Sequence, residues 1–287
     1  MNNSMNSGMI GSTSATTTAD IVRPIATPVL VMPPRRSMMV YVLESKYELI
    51  KMMRLPVFLV PALGFPVMFY VLFGLLIPGG KGDSQTIATY LLATYAAFGV
   101  ISIALFALGA GVATERGQGW LSVKRASPMP ISAYFTGKYV MTVILAAVLM
   151  LLICAVGVVF GHVRMSLAHW TALIIVELLG GLPFCAMGLA VGYLAGPNSA
   201  PAVVNGIYLP MAFLSGLFIP VEMLPRFLRN LAPIFPPYHL ARLALEAVGI
   251  EPASRAWIHV AALIGFGVLF TGIALFAYRR DEGRTYG

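Results

Sequence analysis

The sequence predicts an all-α membrane protein with six transmembrane helices, and three observations carry that reading. Of the 287 residues 59% are hydrophobic and 10% charged, against roughly 25% charged in ordinary soluble domains. The mean hydropathy is +0.84. Several apolar runs reach about 18 residues or more, and about 20 residues of helix cross the hydrocarbon core. In hydrocarbon every backbone polar group needs an internal partner, so long unbroken runs are helices, whereas barrel strands would be about 10 residues of alternating polarity.

A net charge of +8 would suggest nucleic acid in a soluble protein. Here the basic residues stand at the ends of apolar runs, which marks them as topology signals and anionic-lipid contacts. Nucleic acid is not an expected partner; the bilayer is. Cys154 and Cys185 lie inside apolar runs with no Cys-x-x-Cys or Cys/His spacing. They read as small buried hydrophobes.

In chain order, residues 1–36 are rich in Ser, Thr, Asn and Pro and lack the apolar core of a signal peptide; they are expected to form a disordered tail. Residues 37–56 interleave apolar Val42, Leu49 and Met53 with Glu44, Lys46, Glu48 and Lys51. That pattern predicts an amphipathic helix lying in the membrane interface. The six-span domain is expected over 57–280, with a polar tail over 281–287. The first span, 57–77, carries Pro61 and Pro66, which should kink it. The Gly-Gly-Lys-Gly-Asp-Ser loop after it is no phosphate-binding loop: Leu75 stands where the first glycine is needed and Gly82 where a Ser or Thr is needed.

The second span covers 88–112 and the third 131–160. Between them lies a polar break, residues 113–130, containing Glu115, Arg116, Trp120, Lys124 and Arg125 and ending Ser-Pro-Met-Pro. It predicts a short amphipathic helix stopped by proline. The third span is apolar apart from Lys138 near its start. The fourth, 170–194, holds Glu177, the one acidic residue well inside an apolar run. Its plain reading is a carboxylate near the outer face, hydrogen-bonded to a neighbour; its functional readings are a proton carrier or a substrate contact. Gly188, Gly192 and Gly196, four apart, form a small-residue stripe for close helix approach, expected within one subunit.

The fifth span, 202–219, contains Asn205, Pro210 and Ser215. Residues 221–256 follow, too apolar for a solvated loop and broken by five prolines. Their two helical candidates, 224–231 and 238–248, reach at most about 16 Å and should be re-entrant or surface-lying. In the second, Leu240, Leu243, Ala244 and Ala247 form an apolar stripe, and Arg242 and Glu246 stand at pairing distance. The sixth span, 257–278, stops at Arg279-Arg280.

Two stretches resemble the permeases of ABC-2 type transporters. One is the polar break, with its Glu-Arg, Gly119, apolar-basic segment, Ser-Pro-Met-Pro, Tyr134-Phe135 and Gly137-Lys138, where Gly117 and Trp120 stand in place of a common acidic residue and a Thr or Ser. The other is Phe-Leu-Ser-Gly-Leu-Phe-Ile-Pro with the proline-rich stretch behind it. The resemblance implies that the break is a cytoplasmic coupling helix, that two copies of a separate ATPase subunit carry the ATP and Mg, and that a second permease chain completes a homodimer. No cofactor is expected on this chain. The coupling residues it points to are Glu115, Arg116, Trp120, Lys124 and Arg125. For the substrate path the sequence offers the polar breaks Asn205, Ser215 and Glu177.

Charge gives the orientation. With six spans, both termini and the polar break share a side, and that side holds 13 of the 19 basic residues. The positive-inside rule places it in the cytoplasm, in a bacterial inner membrane. The leading reading is the permease subunit of an ATP-driven exporter, not itself an enzyme. The rivals are an ion-coupled secondary transporter, which should show charged relays in several spans, and an intramembrane enzyme using Glu177, for which no zinc-binding or Gly-x-Ser-x-Gly spacing exists.

Overall fold

The computed structural model describes residues 34–76, 84–127, 129–252 and 255–285. The expected tail over 1–36 falls almost wholly outside them. Among the described residues every regular element is helical: α1 Pro34–Met53, α2 Pro56–Phe69, α3 Ser84–Leu105, α4 Gly111–Gly117, α5 Trp120–Ala126, α6 Ile131–Val159, α7 Leu167–Gly180, α8 Leu182–Leu194, α9 Ala200–Leu214, α10 Arg226–Leu231, α11 Pro236–Ala247 and α12 Ala256–Thr285. Two π-helical segments continue α2 (Tyr70–Leu76) and join α3 to α4 (Phe106–Ala110).

Among the described residues five helical stretches are long and apolar enough to cross a membrane: Pro56–Leu76, Gln85–Gly117, Ile131–Val159, Leu167–Leu194 and Ala256–Asp281. The expected fifth span of six is shorter than the sequence suggests. Helix α9 has 15 residues, about 22 Å at 1.5 Å per residue, against a hydrocarbon core of about 30 Å. Gly216 ends it: with φ 83° it turns the chain back, and the Leu217 N–H reaches the Ala212 carbonyl at 3.3 Å, a helix-terminating pattern that favours glycine. At the other terminus the helix outruns the expected span, since α12 continues through Arg279 and Arg280 to Thr285.

The α3–α4 rod is the centre of the bundle. It packs against α2, α6, α8, α9 and α11, and Leu92, Ile101, Leu105 and Leu108 on it are fully buried. By contrast α2 and α12 turn Val57, Val60, Ile264, Val268 and Phe276 outward, the faces lipid would cover. The small-residue stripe works inside the subunit. A Cβ on Gly192 would sit 2.7 Å from the Leu108 carbonyl oxygen and one on Gly188 2.8 Å from that of Ala104, so α8 lies directly on the α3 backbone. Helices α7 and α8 together make the fourth span, with a break at Gly181 just before Pro183.

The two ends of the bundle differ. One gathers α1, α4, α5, the start of α6 and the ends of α8 and α12. The other carries α10 and α11, and α11 buries the apolar stripe foreseen for it, with Leu240 and Ala244 fully covered. Arg242 does not pair with Glu246, one turn along its own helix. It bridges Glu222, at 2.8 Å, and Glu251, so it fastens the segments before and after α11. Burial, with Glu251 nearby, raises the Glu246 carboxyl above its ordinary value.

If Gly192 sets the α8–α3 distance, Gly192→Val should overpack the contact and cost about 1–3 kcal/mol. Thermal unfolding in detergent should show an earlier transition; an unchanged one would mean the helices do not meet there.

Candidate functional site

At the α5 end, three acids and three lysines from four helices converge. Glu44, Glu48 and Lys51 come from the polar side of α1, Glu115 from α4, Lys124 from α5 and Lys138 from the second turn of α6. Lys138 is the hub: it is 1% exposed and pairs with Glu48 at 2.7 Å and with Glu115. Glu115 also takes the Lys51 ammonium and, at 2.7 Å, a hydrogen bond from the Tyr134 hydroxyl. Lys124 closes the array, pairing with Glu44 and, at 2.9 Å, with Glu48, its ammonium 4.5 Å from the centre of the Tyr134 ring.

The electrostatics follow from burial and pairing together. Burial is the largest influence on the Glu48 carboxyl and pushes it up, but the charge and hydrogen bond of Lys138 together with the Lys51 charge hold the group below its ordinary value of 4.5. Burial likewise opposes the charge on Lys124, and its hydrogen bond to Glu44 with the nearby Glu48 raises its pKa. Charge-assisted contacts of this kind are stronger than neutral ones, and the array carries equal numbers of each sign.

Arg116, next along α4, points the other way. Its guanidinium donates to the carbonyls of Gly192 (2.9 Å), Tyr193 and Ala195 (3.3 Å), at and just beyond the C-terminus of α8, and stands 3.5 Å from Asp281 of α12. A cation at a helix C-terminus is favoured by the helix dipole. Gly117 then packs on the α8–α9 turn, where an added Cβ would lie 2.6 Å from Pro197. That contact explains why no acidic side chain stands at Gly117. Gly119, at φ 77°, turns the chain into α5.

Helix α5 thus has an anchored side and a free one. Lys124 faces the acids of α1, whereas Trp120 and Val123 are 56% and 62% exposed. Arg125 is on the same helix, but its side chain lies outside the described residues.

A second feature lies along the membrane face. Helices α2, α3 and α9 frame a groove of about 420 Å³ whose walls include Pro61, Phe65, Phe69, Phe98 and Tyr208, with Ser102 and Asn205 as its polar members. Asn205 is exposed on α9. Ser215 and Glu177 are not part of that groove. Ser215 is buried at the end of α9, its hydroxyl without a hydrogen-bond partner among the described residues. Glu177 is 0% exposed, and neither carboxylate oxygen has a hydrogen-bond partner among the described residues. The hydrogen bond to a neighbour expected for this carboxylate is therefore not made among the described residues: α7 turns Glu177 into the bundle.

Sequence reasoning named Glu115, Arg116, Trp120 and Lys124 but missed Glu44, Glu48, Lys51, Tyr134 and Lys138 as their partners. Two signals pointed to them. Lys138 stands seven residues inside an apolar helix, about 10 Å in, where an ammonium needs a counter-ion. Glu44 and Glu48, four apart, share one face of α1.

A bundle of apolar helices long enough to span a bilayer, with a charged junction at one end, defines a multi-pass membrane protein. The comparisons with known proteins agree. The family model described as ABC-2 family transporter protein matches residues 70–276, and the chain belongs to that family. It is also 24% identical over 239 residues to a Bacillus subtilis (strain 168) protein named as a transport permease, YvfS, the match spanning 83% of this chain and 97% of that one.

Removing Lys138 alone should be severe, because it takes from Glu48 and Glu115 the counter-ion they share and leaves three acids to two lysines; breaking a buried pair costs about 3–5 kcal/mol. Lys138→Met should lower the thermal transition strongly, and adding Glu48→Gln should restore part of the loss. The pH dependence has a definite sign. A carboxyl held low in the folded protein adds stability above its ordinary value of 4.5 and loses it as pH falls through the folded value. Acid unfolding of Glu48→Gln should accordingly be less steep than that of the parent below about pH 4.5.

Proposed function

We propose that this chain is the membrane-spanning subunit of an ATP-driven ABC exporter and that α5 is the coupling helix on which a separate ATPase subunit docks. The observation that carries the reading is the two-sidedness of α5: Lys124 is tied to α1, while Trp120 and Val123 stand free. Membership of the ABC-2 family implies an ABC ATPase partner. ATP and Mg belong to that partner, in two copies, and this chain supplies Glu115, Arg116, Trp120, Lys124 and Arg125 to the coupling region. Of these, Trp120 makes the contact, and Glu115, Arg116 and Lys124 hold the helix that presents it.

A second copy of the chain would complete the path across the α2–α9 face. Asn205, exposed on a membrane helix, supports that placement, because an amide facing hydrocarbon without a partner is costly. Ser215 and Glu177, buried in the present arrangement, would reach the path only if α9 or α7 moved. The excess of basic residues that the six-span reading of the sequence assigns to the side of the polar break, 13 of 19, supports an inner-membrane orientation with both termini in the cytoplasm.

Two measurements test this. In a variant lacking Cys154 and Cys185, Val123→Cys should react with a membrane-impermeant maleimide in inverted vesicles and not in intact cells; the reverse pattern defeats the orientation and the coupling role together. Val123→Asp with Trp120→Ala should weaken capture of the ATPase subunit by about 2 kcal/mol, roughly thirtyfold, with the thermal transition of the permease unchanged. Undiminished capture would remove α5 from the interface.

A further inference from the structure

Beside the charged junction lies the largest of the cavities named here, about 940 Å³, framed by the end of α1, the start of α2, the π segment at Phe106 and the start of α9. Its walls are mostly apolar, with Val57, Phe58, Phe106 and Pro201 among them; Thr114 and Gln118 add uncharged polar groups, and Lys51 and Arg54 are its cations. The two cations differ. Lys51 is committed to Glu115. Arg54 is exposed and has no carboxylate partner among the described residues. Glu115, the acid lining the same cavity, is already engaged by Lys51, Lys138 and Tyr134, which leaves no acid free for a cationic guest. The cavity is within the size range of small-molecule sites, whose pattern is apolar walls with a few placed polar groups.

Val57, Phe58 and Phe106 also line the groove that contains Asn205. The two spaces therefore meet at these side chains, one opening at the junction end and the other along the membrane face.

We propose that this cavity binds an amphiphilic anion, with a carboxylate or phosphate head on Arg54 and an alkyl or aryl body along Val57, Phe58, Phe106 and Pro201, and that it is the entry site for cargo of that class. The guanidinium fork matches either head in bidentate geometry, while the walls take the body by apolar burial. The assignment of cargo rests on the reading of α2 and α9 as walls of the transport path; the binding itself does not.

The test uses the full-length permease alone in phosphatidylcholine nanodiscs, photolabelled with a diazirine-bearing palmitic acid or with its methyl ester. Labelled peptides are mapped by mass spectrometry. The acid should label peptides containing Val57–Phe58 and Phe106 about tenfold more than the ester, the discrimination expected of one charge-assisted contact. Arg54→Ala should abolish the preference and Arg54→Lys retain part of it. Equal labelling by acid and ester overturns the proposal, as does a preference that survives Arg54→Ala. So does an absence of labelling at these peptides, the result expected if a second copy of the chain fills the cavity.

Adding phosphatidylglycerol to the nanodiscs separates two sources of the same chemistry. Competition identifies an anionic bilayer lipid as the natural occupant, and undiminished labelling a free amphiphile. No ATPase is present, so failure here leaves the α5 docking result untouched.

Discussion

A lysine ammonium withdrawn from water is costly unless its charge is answered at close range, and Lys138 is 1% exposed. Much of the architecture at the α5 end answers that constraint. Glu48 comes from a helix lying across the start of α6 and Glu115 from the end of the central rod, and both must be in place for Lys138 to be buried. The ion pairs thereby fix where α1 crosses α6 and how far α4 descends beside it. Lys124 extends the same logic to α5: a seven-residue helix has little stability of its own, and its seat against α1 gives it a definite orientation.

Adjacent residues on α4 divide the work. Glu115 ties the rod to α1 and α6; Arg116, one residue on, ties it to the ends of α8 and α12. A helix that must hold two sets of neighbours at once puts consecutive side chains about 100° apart, and here that separation connects α5 with helices on both flanks of the bundle. The groove between α2 and α9 is left outside these ties. Its walls are apolar and aromatic, α9 is short and proline-bearing, and what ties α9 to α3 there is the Tyr208 hydroxyl donating to the Phe98 carbonyl.

Much of the fold was legible in the sequence because hydrocarbon imposes a coarse rule that apolar run length reports directly. Five of the six expected spans, the separate helix α1, the short α5 and the two short helices before α12 follow from run length and breakers. What was illegible is instructive. Glu44 and Glu48 looked like the solvated side of an interfacial helix, since pattern alone does not say which side of α1 meets the protein; the structure turns the acids inward and leaves Met38, Val42 and Met53 outside. Arg242 appeared to pair along its own helix with Glu246, but two partners distant in sequence took it instead. The end of α9 depended on a single residue, Gly216, whose effect is on backbone direction and not on hydrophobicity. Glu177 was visible as an oddity, yet its complete burial depends on how α7 is rotated, which periodicity in a wholly apolar helix does not encode.

The π segment at Phe106–Ala110 has a bearing on all of this. A single π turn accommodates one residue more than an α turn, so it advances everything after it by about 100° of azimuth relative to an unbroken α-helix. Glu115 and Arg116 meet their respective neighbours with that offset included. Were the segment to wind down into regular α-helix, the two side chains would swing by about one residue's angle and each would leave its own set of contacts. The segment, about two-thirds of the way along the central rod, thus sets the azimuth at which the rod meets α1 and α6 on one flank and α8 and α12 on the other.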